Sequence, residues 1–176
     1  MTPKNEAIAD RETLRFAYGE TTLGTILVAS SNKGVVALSF GEGRVSLLHE
    51  LEQSFPGAPL LLDENGLDQI VKKAVSLVDT PHLRTKLALD LRGSPMEVAV
   101  WQALQDIPVG ETRSYREIAK QLPMPATAQD VAAACAANRI AVAVPCHRVV
   151  KSDGSISGYR WGVQRKGRLI NKEIVW

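Results

Sequence analysis

The first half of the chain alternates short apolar, β-branched runs with turn-forming residues. Runs at 13–17, 24–30 and 34–40 predict three strands in close succession, since residues 31–34 (Ser-Asn-Lys-Gly) are typical of a turn. A further apolar run at 87–91 predicts a last strand before Gly93. This spacing favours an antiparallel meander at the start of the protein.

Two other stretches of the first half have apolar residues at near-helical spacing. They flank the helix-breaking sequence Pro-Gly-Ala-Pro at 56–59, and each predicts an amphipathic helix. Their apolar positions are Val45, Leu47, Leu48, Leu51 and Phe55, then Leu67, Ile70, Val71, Val75 and Leu77. With the strands they predict a small α+β domain over 13–92, after a polar, flexible tail over 1–12.

From Ser94 onward the pattern is mainly helical. Ser94, followed by Pro95, predicts the start of one helix, and Ser114, with Glu three residues later, predicts the start of another. A third helix is predicted over 127–138 and a last one over 162–175. The predicted fold class is therefore α+β: antiparallel strands with flanking helices, then a mainly helical domain over 93–176 that contains a helix-turn-helix.

The helix predicted over 127–138 carries few bulky side chains. Alanine occupies six of its positions: Ala128, Ala132, Ala133, Ala134, Ala136 and Ala137. Side chains this small let a helix backbone come very close to a DNA groove or to a neighbouring helix. The pattern alone does not decide between groove insertion and tight internal packing.

Charge divides unevenly along a chain whose formal net charge is only +2. Residues 1–92 hold ten Lys/Arg and twelve Asp/Glu, whereas 93–176 hold eleven and seven. Within 139–172 there are eight basic residues and one acidic residue, a concentration that suits phosphates and is also compatible with a solvated basic face. No apolar run approaches the roughly 20 residues of a membrane span and no signal-peptide pattern is present, so we expect a soluble cytoplasmic protein.

The best candidate for chemistry is the dipeptide Cys146-His147. A thiolate is a strong nucleophile, and an imidazole close by, directly or through a water, can take its proton. The histidine would need a carboxylate to orient it, and spacing alone ranks Glu173 no higher than Asp153 or Asp130. The competing interpretation is an inert buried thiol beside a hydrogen-bonded core histidine.

Metal binding and disulfide formation are weaker interpretations of the same residues. The two cysteines and the three histidines, His49, His82 and His147, show no paired metal-ligand spacing, so no metal site is predicted. Cys135 and Cys146 could form one disulfide by count, but a chain without an export signal usually keeps its thiols reduced.

Two motifs and one asparagine together point to a known family. Pro145-Cys146-His147-Arg148-Val149, followed by Gly-Tyr-Arg-Trp-Gly at 158–162 and preceded by Asn138, resembles the O6-alkylguanine-DNA alkyltransferases. The likeness is to the C-terminal domain of the bacterial adaptive-response (Ada-type) proteins and runs from about residue 13 to the end. It implies an N-terminal ribonuclease-H-like domain over 13–92 and a DNA-binding, alkyl-acceptor domain over 93–176.

The resemblance implies a role for each matching position of the reaction centre. Cys146 would accept the alkyl group, His147 would be its base through a water, Glu173 would orient His147, and Asn138 would link the recognition helix to the active-site loop. Tyr115 would meet the flipped guanine with its hydroxyl. The implied base pocket consists of Tyr115, Cys135, Val149, Tyr159 and Arg160.

The same resemblance implies a surface for duplex DNA. The implied contacts are Ser114, Thr127, Ala128, Gln129, Ala136 and Arg148. Gln129 departs from the family, which usually has an arginine at this position that intercalates where the base has left. Glutamine keeps the bulk of that side chain but loses its charge and its planar stacking, so we expect weaker DNA binding.

The implied function is single-turnover repair of O6-alkylguanine in double-stranded DNA, after the nucleotide has been rotated out of the helix. The resemblance further implies a monomer that works at the bacterial nucleoid without a cofactor. The cysteines of the Ada-type zinc domain are missing, so we expect either a free-standing homologue or a fragment of a longer protein fused to such a domain. The rival functions are a non-catalytic lesion-binding protein of the alkyltransferase-like kind, a helix-turn-helix regulator and a cysteine hydrolase.

Overall fold

The computed structural model describes residues 12–175; residues 1–11 of the predicted tail lie outside that range. Three strands form an antiparallel meander: β1 (Leu14–Thr21), β2 (Gly24–Ser30) and β3 (Val35–Gly41). A short strand, β4 (Leu60–Leu62), adds to β1 in parallel and gives the sheet the order β3-β2-β1-β4. The pattern predicted the meander but missed β4, which is only three residues long.

Helices cover the two faces of this sheet. Alternate residues of a strand point to opposite faces, and on β2 Leu27 and Ala29 pack with helix α1 (Arg44–Ser54), whereas Ile26 and Val28 join the other core cluster. Helix α2 (Asp68–Asp79) contributes to that second cluster, together with the apolar residues of the second half of the chain. The 3₁₀ turn Pro81–Leu83 follows α2.

The second half is built from helices and two very short strands. In chain order these are α3 (Pro95–Gln105), β5 (Arg113–Ser114), α4 (Tyr115–Gln121), α5 (Ala128–Ala137), the 3₁₀ turn Cys146–Arg148, β6 (Val149–Val150) and α6 (Val163–Ile174). β5 and β6 pair in parallel. The mixed α+β class is confirmed; α4 and α5 pack together, and their identity as a helix-turn-helix stays a prediction.

The helix starts follow the capping chemistry of the sequence. The Ser94 side chain accepts a hydrogen bond from the Glu97 amide, and Ser114 does the same with the Glu117 amide. Thr127 and Asp130 form a reciprocal capping box at the start of α5. Of the predicted starts, those at Ser94, Ser114 and Thr127 are therefore confirmed.

The strand predicted at 87–91 is wrong. In its place a single parallel bridge joins Leu89 to Val35, through Val35 N to Ala88 O (2.8 Å) and Asp90 N to Val35 O (2.9 Å). Leu38, three residues after Val35 on β3, forms a second parallel bridge of the same kind with Ile140. The segments around Leu89 and Ile140 therefore share the edge of β3. This second bridge ties the segment that follows α5 directly to the sheet.

Candidate active site

The cysteine lies in a loop with two very tight backbone turns. The Ala143 amide donates to Ala141 O (2.7 Å) and the Cys146 amide donates to Val144 O (2.8 Å), so each bond closes a three-residue turn. The first turn places Val142 at φ 66°, a left-handed conformation that is unfavourable for a β-branched residue. These turns lead into the 3₁₀ turn at Cys146, whose side chain is buried at 4% exposure.

Asn138, at the end of α5, joins the helix to this loop and to the sulfur. Its Nδ2 lies 3.0 Å from Val144 O, 3.2 Å from Ile140 O and 3.3 Å from Cys146 Sγ, while its Oδ1 accepts from the Ile140 amide at 2.9 Å. The side chain is 1% exposed. This geometry fits the hinge role that the sequence resemblance implied.

His147 and Glu173 form a buried pair behind the cysteine. His147 Nε2 lies 2.6 Å from Glu173 Oε1, and the two residues are 0% and 3% exposed. Arg148 donates two hydrogen bonds to the same carboxylate, from Nε to Oε2 and from Nη2 to Oε1, both at 3.0 Å. Of the three carboxylates that spacing left open, the structure therefore brings Glu173 to His147; Asp153 bonds Ser155 and Asp130 caps α5.

The charges of this group follow from burial and pairing. Burial alone would raise the pKa of Glu173, but hydrogen bonds from His147 and Arg148 outweigh it and lower that pKa to about 2. Burial lowers the pKa of His147, so its imidazole is neutral near pH 7. Because an ionised carboxylate only accepts hydrogen bonds, Nε2 carries the His147 proton, and Nδ1 keeps a lone pair that has no partner among residues 12–175.

The resting thiol is protonated. Burial raises the pKa of Cys146, while the Asn138 hydrogen bond and the charges of Lys166 and Arg160 oppose that rise. Burial also raises the pKa of Cys135, on α5, well above its usual value, so this thiol is protonated as well. A base is therefore needed to activate Cys146, and the unpaired Nδ1 of His147, the next residue along the chain, is the candidate acceptor.

Cys146 contributes to a cavity of about 620 Å³ between α5 and the loop before α6. The cavity is large enough for a purine base with a small substituent. Its walls are mostly apolar or aromatic, with a few polar groups at the rim. The lining residues are Tyr115, Ala128, Gln129, Ala132, Cys135, Ala136, Cys146, Lys151, Ser157, Gly158, Tyr159 and Arg160.

The alanines of α5 divide between its two faces. Ala128, Ala132 and Ala136 are exposed beside the cavity, with Gln129 at the same end, while Val131 and Ala134 are buried. The Trp101 indole donates to Ala134 O at 2.8 Å on the buried side. The buried face therefore confirms tight internal packing, and insertion of the exposed face into a DNA groove stays a prediction.

Comparison with known proteins agrees with this geometry. Residues 95–175 match the family described as "6-O-methylguanine DNA methyltransferase, DNA binding domain", and residues 14–76 match its "ribonuclease-like domain". The inducible methylated-DNA–protein-cysteine methyltransferase of Bacillus subtilis is 33% identical over 158 residues, which are 90% of this chain and 83% of that protein. The chain belongs to the methylated-DNA–protein-cysteine methyltransferase family.

A second relative of this chain is a longer protein. The bifunctional transcriptional activator/DNA repair enzyme Ada of Escherichia coli is 41% identical over 160 residues, and the chain spans 91% of its own length but 45% of that protein. Among solved structures, Mycobacterium tuberculosis OGT in complex with DNA superposes with a TM-score of 0.72 at 30% identity, with 92% of each chain covered.

Two residues that were predicted to contact DNA are placed elsewhere. Arg148 is turned inward: its guanidinium holds Glu173, and its Nη1 donates to Ile107 O at 2.7 Å, so the expected DNA contact is corrected to a structural one. Ser114 is 7% exposed and its hydroxyl caps α4, so the predicted DNA contact of its side chain is also corrected to a structural role. Thr127, Ala128, Gln129 and Ala136 are exposed as expected.

The base-pocket predictions fall around the cavity with one exception. Tyr115, Cys135, Tyr159 and Arg160 line it, whereas the Val149 side chain is fully buried and is not among the lining residues of the described chain. Any role for Val149 would have to come from its backbone.

Sequence reasoning missed a buried lysine close to this site. Lys166, on α6, is 1% exposed, its Nζ donates to Ser157 Oγ at 3.3 Å, and within residues 12–175 no carboxylate pairs with it. The signal was present: Lys166, Leu169 and Glu173 recur at helical spacing and form the buried face of α6. Ser157, in an irregular loop, carried no such signal.

Two kinds of feature are absent from the described part of the chain. No helix within residues 12–175 is long and apolar enough to cross a membrane. Nor does that range contain a group of three or more His, Cys, Asp or Glu residues arranged to hold a metal ion.

Proposed function

We propose that this protein repairs double-stranded DNA by transferring the alkyl group of O6-alkylguanine to its own Cys146. The observation that supports this most strongly is the buried arrangement of Asn138, His147 and Glu173 behind Cys146, at an open, mostly apolar cavity. A cysteine hydrolase would need polar groups to hold a peptide or ester, and the walls of this cavity offer few.

The proton of the thiol is taken by His147. Its Nδ1 accepts the proton through an intervening water while Nε2 stays bonded to Glu173, whose charge stabilises the imidazolium that forms. The sulfur attacks the alkyl carbon in line, the S–C bond forms and the C–O6 bond breaks. The electron pair of the broken bond stays on the guanine, which takes up a proton to become neutral.

The guanine reaches the sulfur only after leaving the base stack, at a cost of a few kcal/mol. The exposed alanine face of α5 allows the helix backbone to approach a groove closely, and Gln129 lies where a side chain can fill the vacated space. The concentration of basic residues over 139–172 favours this approach to phosphates, even without Arg148.

The thioether that forms on Cys146 is not readily hydrolysed by water. One molecule therefore repairs one lesion. The protein acts as a monomer and needs no cofactor, because the nucleophile, the base and the orienting carboxylate all come from this chain.

Intact-mass spectrometry tests the proposal directly. After incubation with a duplex oligonucleotide that contains O6-methylguanine, we expect the protein to gain one methyl group, located on Cys146 by peptide mapping, with a stoichiometry that stops at one. Binding of the duplex with no change in mass would refute transfer and favour a non-catalytic lesion-binding protein.

Cys135→Ser is the matched control for this assay. Cys135 lines the same cavity. If methyl groups were transferred to any thiol near the base, replacing Cys135 would reduce the total methylation. We expect Cys135→Ser to be methylated like the wild type and Cys146→Ser to remain unmodified.

A further inference from the structure

Three hydrogen-bonded polar side chains lead from the interior of the protein to the wall of the cavity. The buried Lys166 Nζ lies 3.3 Å from Ser157 Oγ, and Ser157 Oγ in turn forms a hydrogen bond with the Tyr115 hydroxyl. The Lys166 Nζ also lies 5.9 Å from the centre of the Tyr115 ring. Neither Lys166 nor Ser157 has a part in the proton path through His147.

The donor and the acceptor are fixed for the hydrogen bond between Lys166 and Ser157. A lysine ammonium has hydrogens to donate and no lone pair to accept with, so Ser157 Oγ must be the acceptor of the Lys166 bond. The hydroxyl hydrogen of Ser157 is then free to point at the Tyr115 oxygen. When it does so, the Tyr115 hydroxyl hydrogen points away from Ser157 and is free to donate to another group.

That direction matters because Tyr115 and Cys146 line the same cavity. A guanine in the cavity presents hydrogen-bond acceptors, the O6 atom and the ring nitrogens, and negative charge grows on them as the C–O6 bond breaks. A hydroxyl already held as a donor needs no reorientation at that moment, and successive bonds in a chain polarise one another.

We propose that Ser157 is a positioning residue that relays the charge of Lys166 to Tyr115 and holds the Tyr115 hydroxyl as a hydrogen-bond donor toward the base. This inference rests on the proposed function, since the base is the guanine of the transfer reaction. Ser157 itself touches neither the sulfur nor the alkyl group.

Single-turnover kinetics of methyl transfer provide the test. Ser157→Ala should slow the transfer rate constant about tenfold, the effect of one hydrogen bond, and leave the Kd for undamaged duplex unchanged. Ser157→Thr, which keeps the hydroxyl, should return the rate to within about threefold of wild type. Because Ser157 acts through Tyr115, Ser157→Ala should cause no further loss in a Tyr115→Phe background.

Ser155→Ala is the matched loop control. Ser155 lies two residues away and stabilises the same loop through Asp153, at 2.6 Å from Oγ and 2.9 Å from its amide, without contacting Tyr115. Its rate should stay at the wild-type value. The proposal would be overturned if Ser157→Ala left the transfer rate constant unchanged or raised it. It would also be overturned if the loss of rate caused by Ser157→Ala added to that caused by Tyr115→Phe. A faster rate would show that the contact between Ser157 and Tyr115 keeps the cavity closed.

A readout without DNA separates this inference from the proposed function. The chain has three tyrosines, Tyr18, Tyr115 and Tyr159, so ¹³C labelling at the ring carbon bonded to oxygen gives three signals. Ser157→Ala should shift the Tyr115 signal and leave that of Tyr18 in place. If the wild type transferred no methyl group but this shift appeared, only the proposed function would fail; a Tyr115 signal that did not move would overturn the Ser157 inference whatever the activity.

Discussion

Replacing Glu173 with glutamine tests the buried pair on which the proposed mechanism depends. The carboxylate accepts bonds from His147 at 2.6 Å and from two Arg148 nitrogens at 3.0 Å, in a site that is 3% exposed. Glutamine has almost the same shape but presents an NH₂ group to at least one of these donors. It also leaves the Arg148 cation buried without a counter-charge.

The expected loss of stability is large for a single isosteric change. Lowering a carboxyl pKa from 4.5 to about 2 corresponds to roughly 3 kcal/mol of stabilisation. Removing one partner of a buried ion pair typically costs about 3–5 kcal/mol. The two routes agree, so we expect Glu173→Gln to reduce the free energy of unfolding by about 3–5 kcal/mol at pH 7.

This loss should depend on pH in a defined direction. The folded-state pKa of Glu173 lies below its unfolded value, so its contribution is complete above about pH 4.5 and disappears as the pH falls toward 2. Near pH 3 about half of it should remain. The wild type and the variant should therefore converge as the solution is acidified.

Urea titrations at pH 7 and pH 3, followed by tryptophan fluorescence, measure both effects. Glu42→Gln serves as the control, because Glu42 also pairs with an arginine, Arg165 at 3.0 Å, but is 94% exposed, and such surface pairs contribute little. A Glu173→Gln variant as stable as wild type at pH 7, or a loss of equal size at both pH values, would refute the account of this pair.

Three further substitutions follow from the same structure. Gln129→Arg should tighten binding to undamaged duplex several-fold and steepen its salt dependence by about one ion, measured by fluorescence anisotropy; an unchanged Kd would contradict the role given to this position. Val142→Gly should lower the free energy of unfolding by about 1 kcal/mol in urea titrations, because the valine side chain is buried in the core and its loss outweighs the relief of strain at φ 66°. A gain in stability would show that the strain of this turn is the larger effect. Lys166→Met should stabilise the fold by about 1–2 kcal/mol, since it removes a buried charge that no carboxylate in the described chain balances. The same substitution should slow methyl transfer, and a faster rate would contradict the role of Lys166 at the cavity.

Elements that carry a long periodic pattern were predictable from sequence, and those set by one or two tertiary bonds were not. The meander and the helix starts at Ser94, Ser114 and Thr127 follow from alternation and capping, which are local. The segment 87–91 has the composition of a strand, but its pairing depends on how much of β3 the Ile140 segment leaves free. That competition cannot be read from the segment itself.

The site shows the same division between local and distant information. Cys146 and His147 were identified because they are adjacent in a distinctive motif, but the choice of Glu173 over Asp153 and Asp130 needed either family resemblance or the fold. Arg148, which the resemblance assigned to DNA, was misplaced for the same reason, because its partner lies 25 residues further along the chain and only the approach of α6 shows that this partner is Glu173.

The burial of Cys146 and the neutrality of His147 together constrain when the chemistry takes place. Burial raises the pKa of the thiol and lowers that of the imidazole, so in the resting protein neither group is charged. The thiol is then a weak nucleophile toward small electrophiles in solution, which would protect a residue that the proposed reaction uses only once. In that reaction, proton transfer to His147 would become favourable when a base in the cavity places an alkyl carbon against the sulfur, because the S–C bond removes the charge as it forms. The ionised Glu173, which Arg148 keeps deprotonated, would stabilise the transient imidazolium, so the same buried pair would serve both the stability of the fold and the proposed transfer.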